Sequence, residues 1–171
     1  DNLFQFTPSD TAVESIQYDN AFRMCFSDPN QGSASADYIA GNNLAKKVAV
    51  IYNSSDTYSS GIYQNFVTEA EKKGLEVVAA KAFTADNKTD FSVQIQKAKD
   101  AGAELVFLPI YYQEASLILA QADKAGFSPK WFGCDGMDGI LDLDGFDASL
   151  AENLMFLTPF TTNATDDATQ K

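Results

Sequence analysis

The feature that most limits the folds open to this sequence is a regular alternation of strand-like and helix-like segments. Short apolar runs begin near Val48, Val77, Leu105 and Trp131. Their spacing of roughly 26–29 residues is the length of one βα unit with its loops. Between the runs, apolar residues recur at helical spacing. This alternation predicts an α/β fold in which helices cover both faces of a mainly parallel sheet.

The same pattern predicts how many strands the sheet has and in which order they lie. A fifth strand is expected at residues 154–158, directly before Pro159. Because crossovers between parallel strands are right-handed, few arrangements remain. We predict a three-layer sandwich with a five-stranded sheet of order 2-1-3-4-5, numbered from the Val48 strand. Residues 163–171 are expected to form a cap and the beginning of a further helix.

Three side chains that follow predicted strands are suited to binding a small zwitterion. Tyr58 follows the first of the four runs, Tyr111 the third and Asp135 the fourth. In an open parallel sheet, ligands bind outside the carboxyl ends of the strands, where the direction of winding reverses. A carboxylate and two phenols at this edge suit an ammonium group with an apolar or polar tail. This indicates binding rather than catalysis.

Composition and charge exclude several classes of function. The chain has 171 residues, the size of one domain, and its net charge of −12 argues against binding to DNA or RNA. It contains no histidine, which rules out histidine-dependent nucleophiles and most catalytic zinc sites. The acidic stretch from Asp138 to Asp147 lacks the first and last ligands of a calcium loop, so a solvated loop is the better interpretation. We expect no cofactor and no metal.

The two cysteines, Cys25 and Cys134, allow two interpretations. They can form a disulfide only if their Cα atoms come within about 7 Å of each other. The alternative, which we favour, is that both are buried thiols that pack as small apolar side chains.

Several short motifs, taken in their order and spacing, resemble those of a known family. They are Thr7–Thr11, the pair Phe22-Arg23 followed by Asp28 and Gln31-Gly32, and the segments 56–61, 111–114 and 133–136. Together they resemble the type I periplasmic-binding-protein fold, in its branched-chain amino-acid (leucine/isoleucine/valine) group of ABC-transporter solute-binding proteins. In that family the first motif lies in the first lobe, the second crosses into the second lobe, and the others are second-lobe ligand loops.

The resemblance implies a role for each candidate residue. Ser9 and Thr11 would hold the α-carboxylate of an amino acid through hydroxyl and backbone donors. Asp135 would accept the α-ammonium group, and Tyr58 and Tyr111 would close over it. Charge-assisted hydrogen bonds are roughly twice as strong as neutral ones. They would fix the head group of the ligand, while the wall of the pocket selects its side chain.

The resemblance also implies how the chain divides into domains. Residues 1–20 would be a remnant of the first lobe and the hinge segment, and residues 21–171 a second, ligand-binding lobe that is truncated at its C-terminus.

The first six residues have neither the basic region nor the long apolar core of a signal peptide. Residues 3–7 alternate like a strand whose neighbours would lie in the missing lobe. We expect this strand to be disordered, to fold back on the lobe, or to pair with a second copy in a dimer.

The function that the resemblance implies is the capture of a branched-chain or similar amino acid, or a related amide, outside the cytoplasm. The lobe would belong to a solute-binding protein, in the periplasm or anchored as a lipoprotein on the outer face of the membrane, that serves an ABC-transporter permease. Two alternatives stay open. One is the ligand-sensing lobe of a receptor or regulator, and the other is a small enzyme that uses Asp135 and Tyr111 as acid and base.

Overall fold

The computed structural model describes residues 3–159 and 161 and shows an α/β protein. The strands are β1 (Gln5–Thr7), β2 (Ala21–Arg23), β3 (Lys47–Asn53), β4 (Glu76–Phe83), β5 (Leu105–Leu108), β6 (Lys130–Gly133) and β7 (Leu154–Phe156). The α-helices are α1 (Asp28–Gly41), α2 (Thr57–Lys72), α3 (Ser92–Asp100) and α4 (Tyr112–Lys124). Short 3₁₀ helices lie at Val13–Ile16, Asp135–Met137, Ile140–Asp142 and Ala148–Ala151. The helix predicted at residues 163–171 lies outside the described residues, and no helix within them is long and apolar enough to cross a membrane.

The main sheet has the predicted topology. Its strand order is β4-β3-β5-β6-β7, and every neighbouring pair is parallel. Counted from β3, this is the order 2-1-3-4-5, so that prediction is confirmed. The last strand, β7, ends at Phe156, which is earlier than the predicted end at Thr158.

Helices cover both faces of the main sheet. Because alternate residues of a strand point to opposite sides, each strand packs against helices on both faces. On one side, Val50 and Phe107 lie in a buried cluster with residues of α1 and α2. On the other side, Ile51 and Val106 lie in a second buried cluster with residues of α3 and α4. The predicted three-layer sandwich is therefore confirmed.

Helices α1 and α2 pack closely at Gly32. A Cβ atom at this position would lie 2.4 Å from the carbonyl oxygen of Ile62 and 2.8 Å from the backbone nitrogen of Phe66. Real side chains do not tolerate such distances, so the close approach requires glycine. This contact fixes the first turns of α1 against α2.

Strands β1 and β2 form a separate, two-stranded parallel sheet. Gln5 is paired with Ala21 and Thr7 with Arg23. Strand β1 therefore folds back on its own chain, which is one of the three outcomes expected for it. The domain boundary between residues 20 and 21 stays a prediction.

The two cysteines are both free thiols. Cys134 is fully buried within the cluster that packs against α1 and α2, whereas Cys25 is partly exposed. Burial raises the pKa of Cys134 well above its usual value, which keeps the thiol protonated. The favoured interpretation as small packing side chains thus fits Cys134 better than Cys25.

Candidate ligand-binding site

A pocket of about 280 Å³ lies at the carboxyl ends of β3, β5 and β6. All five residues predicted to bind a ligand line it, namely Ser9, Thr11, Tyr58, Tyr111 and Asp135. The same pocket is also lined by Tyr112, Gly136 and Asp138. The structure thus brings the five candidates together, and their roles in binding stay predictions.

The local fold explains why these side chains meet. Tyr58 lies in the first turn of α2, directly after β3. Tyr111 immediately precedes α4, and Asp135 begins the 3₁₀ helix that follows β6. Because β3, β5 and β6 are parallel, the residues that follow them share one edge of the sheet. Ser9 and Thr11 reach this edge from the segment after β1.

Asp135 is held in place by hydrogen bonds at its backbone and its side chain. The hydroxyl of Tyr58 donates to Oδ1 of Asp135 at 2.7 Å, and the backbone N–H of Gly136 donates to that hydroxyl at 3.0 Å. The backbone N–H of Asp135 donates to Oε1 of Gln31 at 3.0 Å. These hydrogen bonds therefore fix the orientation of the acid that lines the pocket.

The hydroxyl of Tyr58 already has both a donor and an acceptor partner. Tyr58 is only 9% exposed. Burial raises its pKa well above the usual range, and the neighbouring Cys134 and Asp135 add to this rise. The phenol stays neutral and keeps donating to Asp135. Its structural contribution is thus to orient the acid.

Tyr111 contributes an exposed aromatic ring to the lining of the pocket. Its ring stacks on that of Tyr58, with a centroid distance of 4.9 Å and an interplanar angle of 21°. The residue is 45% exposed. Burial, followed by the nearby acids Asp56 and Asp135, raises the pKa of Tyr111 to about 12. The pocket therefore offers a neutral aromatic face beside a carboxylate.

The charges of the pocket favour a cationic group. Asp135 and Asp138 line it, and none of the described residues that line it is a lysine or an arginine. Arg23 does not line the pocket, but its guanidinium is bonded to one of the lining residues: its Nη1 donates to the carbonyl oxygens of Thr11 and Ala12 at 3.1 and 2.8 Å. A cleft lined by one sign of charge attracts the opposite sign. An ammonium group fits this arrangement.

Two buried polar residues behind the pocket were not predicted as site residues. Asp28 and Gln31 are 5% and 1% exposed, and both belong to the first turns of α1. Within the described residues, Oδ1 of Asp28 and Nε2 of Gln31 have no hydrogen-bond partner. Burial raises the pKa of Asp28, a hydrogen bond from Thr11 opposes the rise, and Asp135 adds to it. The sequence places both residues only in the motif that resembles the crossing between the two lobes. No sequence pattern shows that their side chains face the interior.

Gly136 is a further residue whose importance only the structure reveals. A Cβ atom here would lie 2.8 Å from the carbonyl oxygen of Ile110 and 2.9 Å from the hydroxyl of Tyr58. The loop after β6 therefore approaches the loop after β5 at backbone distance. This approach lets the Gly136 N–H reach the Tyr58 hydroxyl.

A larger hollow of about 860 Å³ lies beside β1 and is a poorer candidate. It is lined by Leu3, Phe4, Gln5, Phe6, Tyr18 and Asn20, which include no charged side chain. A zwitterion needs charged or strongly polar partners for both of its ends. The smaller pocket at Asp135 meets that need better.

The structure offers no metal centre within the described residues. No three His, Cys, Asp or Glu side chains among them are grouped so that they could hold an ion. In the acidic stretch, Asp147 instead accepts hydrogen bonds from the backbone N–H and the hydroxyl of Ser149. The described lining residues of the pocket supply hydroxyl groups, carboxylates and aromatic rings.

The fold is a parallel α/β sheet with a pocket at its carboxyl edge that is suited to a small molecule. A family profile described as "Periplasmic binding protein" matches residues 1–171. The chain belongs to this family, and the resemblance found in the sequence is confirmed. The family is one of binding proteins rather than enzymes.

Named relatives and solved structures agree with this assignment. The Leu/Ile/Val-binding protein homolog 3 of Brucella melitensis is 35% identical over 119 residues, which are 70% of this chain and 32% of that protein. The leucine-, isoleucine-, valine-, threonine- and alanine-binding protein of Pseudomonas aeruginosa is 29% identical over 161 residues, which are 93% of this chain and 42% of that protein.

Two crystal structures are similar over almost the whole chain. A leucine-binding protein from Thermotoga maritima superposes with a TM-score of 0.86 at 28% identity, covering 97% of this chain and 47% of that one. A branched-chain amino-acid transporter substrate-binding protein from Streptococcus pneumoniae, in complex with isoleucine, superposes with a TM-score of 0.85 at 28% identity, covering 98% and 47%. The chain thus spans 32–47% of the length of these relatives.

Proposed function

We propose that this chain is a ligand-binding lobe of an extracytoplasmic solute-binding protein that captures a branched-chain or similar amino acid for an ABC transporter. The observation that carries the proposal is the carboxylate of Asp135, which Tyr58 orients in a pocket shared with Ser9 and Thr11. The relatives support it, since their names refer to leucine, isoleucine and valine, and one was solved with isoleucine bound.

In this proposal each part of the pocket binds one part of the amino acid. Asp135 accepts hydrogen bonds from the α-ammonium group. Ser9 and Thr11 donate to the α-carboxylate, Thr11 through its backbone N–H because its hydroxyl donates to Asp28. Tyr111 covers the bound head group with the exposed part of its ring. The absence of lysine and arginine among the described lining residues argues against a ligand with an acidic side chain.

The proposal includes a second lobe. Residues 1–20 would belong to a first lobe and hinge, and residues 21–171 to the lobe described here. In two-lobed binding proteins, hinge closure encloses the ligand between the lobes. The full-length protein would act in the periplasm, or as a lipoprotein on the outer face of the membrane, and deliver the amino acid or a related amide to a permease.

A dimer through the N-terminal strand is also part of the proposal. Leu3, Phe4 and Tyr18 beside β1 are 74%, 72% and 71% exposed. Apolar side chains along a short, open-edged sheet tend to recruit another chain.

An enzyme built on Asp135 and Tyr111 fits the site less well. General acid–base catalysis is most efficient when the pKa of the catalytic group lies near the operating pH. The pKa of Tyr111 is raised to about 12, which is further from neutral pH than the usual value of a tyrosine. We therefore favour binding.

The proposal is tested by isothermal titration of the full-length protein with isoleucine, leucine, valine and glutamate. We expect binding of one or more of the three apolar amino acids and none of glutamate. N-acetyl-isoleucine, which lacks the ammonium group, is the matched control ligand and should not bind. Failure of all the amino acids to bind, or binding of N-acetyl-isoleucine as tight as that of isoleucine, would contradict the proposal.

A further inference from the structure

Gln31 makes a contact that the roles assigned to the pocket do not explain. It is the fourth residue of α1 and is 1% exposed. Its side-chain oxygen, Oε1, accepts the backbone N–H of Asp135 at 3.0 Å, across 104 positions of the sequence. The contact joins the beginning of α1 to the loop that follows β6.

The backbone N–H of Asp135 has a particular need for this acceptor. Asp135 is the first residue of a 3₁₀ helix, and the first N–H groups of a helix have no acceptor within it. The residue before the helix, Cys134, makes no side-chain capping bond. Gln31 supplies the acceptor from another element, so the position of the Asp135 backbone depends on α1.

The same turn of α1 is bonded to the other side of the pocket. The backbone N–H of Asp28 donates to the carbonyl oxygen of Thr11 at 3.0 Å. One turn of helix therefore connects Thr11, assigned to the ligand carboxylate, with Asp135, assigned to the ligand ammonium. The separation of these two ends of an amino acid is fixed, so the spacing of the residues that bind them must be fixed as well.

Gln31 is a costly residue for packing alone. Its Nε2 is buried and has no hydrogen-bond partner within the described part of the chain. Leaving a buried donor unsatisfied destabilises the folded protein. A methionine of similar length would fill the same space without that penalty. Stability alone does not explain the choice of glutamine, whereas the bond to Asp135 does.

We propose that Gln31 is a positioning residue, which holds the backbone of Asp135 so that its carboxylate lies at the correct distance from Thr11 for one amino-acid head group. The inference rests on the proposed function, since it assigns Asp135 to the ammonium group. It adds a residue that touches no ligand and acts through Asp135.

The test compares Gln31→Met with Gln121→Met in the full-length protein, with isoleucine as the ligand. Gln121 is the control because its Oε1 also accepts a backbone N–H, that of Phe91 at 2.8 Å, at a place remote from the pocket. Its Nε2 also donates to the carbonyl oxygen of Thr89 at 2.9 Å, so Gln121→Met removes two hydrogen bonds where Gln31→Met removes one. Two quantities are measured: the hydrogen-exchange rate of the Asp135 amide by NMR, and the affinity for isoleucine by calorimetry.

We expect Gln31→Met to speed exchange of the Asp135 amide and to weaken isoleucine binding by up to about tenfold, the value of one net hydrogen bond. Its thermal stability should fall no more than that of Gln121→Met, because Gln31→Met removes one hydrogen bond together with the orphan Nε2, whereas Gln121→Met removes two hydrogen bonds. Gln121→Met should leave both the Asp135 amide and the affinity unchanged. Affinity that is unchanged in Gln31→Met, or lowered equally in both variants, would overturn the proposal.

The failure of the inference can be told apart from that of the proposed function. A wild-type protein that binds none of isoleucine, leucine and valine contradicts the proposed function and removes the ligand role on which the inference rests. Rapid exchange of the Asp135 amide in a wild-type protein that does bind isoleucine contradicts the positioning role alone. Measuring exchange of the Asp135 amide in the wild-type protein needs no variant. It therefore tests the positioning role even if Gln31→Met does not fold.

Discussion

At the scale of single residues, Asp135 is expected to carry most of the affinity for the ligand head group. Truncating one partner of a buried, hydrogen-bonded charge pair costs about 2–5 kcal/mol of binding free energy. We expect Asp135→Ala in the full-length protein to weaken isoleucine binding by this amount while the fold persists. Asp144→Ala, at an exposed position of the acidic loop, is the control and should bind normally. Calorimetry that shows equal affinities for both variants would exclude Asp135 as the ammonium partner.

Asp28 should make the stability of the protein depend on pH. Its pKa in the folded protein is raised, mainly by burial. The stability that it contributes is therefore complete below the unfolded pKa of about 3.9 and is lost as the pH rises through the folded value. Asp28→Asn lacks this loss, so we expect the variant to gain stability over wild type between about pH 3.5 and about pH 7.

Urea unfolding of both proteins at the two pH values measures this effect. Asp144→Asn, at an exposed position, is the matched control and should differ from wild type by a similar amount at both. A difference between Asp28→Asn and wild type that stays constant with pH would show that the carboxyl of Asp28 is not perturbed by folding.

At the scale of elements, the packing of α1 on α2 depends on Gly32. A methyl group there would meet the backbone of α2 at 2.4 and 2.8 Å, and overpacking of this kind typically costs about 1–3 kcal/mol. We expect Gly32→Ala to lower the free energy of unfolding in urea by at least this amount. Gly41→Ala, at the end of the same helix, meets nothing within 4 Å and should be neutral or stabilising. Equal stability of the two variants would contradict the close packing.

The elements that the sequence predicted correctly are those with a long periodic signal. Strands β3 and β5 are continuous apolar runs because both faces of the sheet are covered. The spacing of such runs predicted the βα units, and the right-handed crossovers limited the possible strand orders. The pairing of β1 with β2 was not predicted. Each of these strands has only three residues, which is too few for a periodic signal, and their partnership is a long-range contact.

The sequence predicted the site residues that follow strand ends, but it did not predict the buried polar residues of α1 beside them. Tyr58, Tyr111 and Asp135 follow strands, so the general behaviour of parallel sheets brought them to one edge. Asp28 and Gln31 are polar residues in the first turns of a helix, where sequence alone favours exposure. Their burial results from the packing of α1 under the pocket, which no local pattern encodes.

At the scale of the whole molecule, the exposed residues beside β1 predict self-association. Leu3 and Phe4 lie directly before β1, beside a sheet of only two strands, and are more than 70% exposed. We expect the chain to form dimers in size-exclusion chromatography with light scattering, and the double variant Leu3→Ser, Phe4→Ser to be monomeric. The exposed Val93→Ser, on α3 and away from β1, is the control and should leave the dimer intact. A wild-type chain that is monomeric at high concentration would exclude this interface.

The chain by itself should bind its ligand much more weakly than the full-length protein. In the proposed two-lobed arrangement, this lobe supplies about half of the contacts, and closure of the hinge supplies the rest. A full-length protein with micromolar affinity, at about −8 kcal/mol, would correspond to a chain with roughly millimolar affinity or weaker.

Titration of the labelled chain with isoleucine, followed by NMR, measures this affinity, and chemical-shift changes should concentrate at Tyr111, Asp135 and Gly136. The Asp135→Ala chain is the control and should show no shifts at these residues. Micromolar binding by the wild-type chain alone would mean that the pocket is complete within this lobe, which would contradict the two-lobed arrangement.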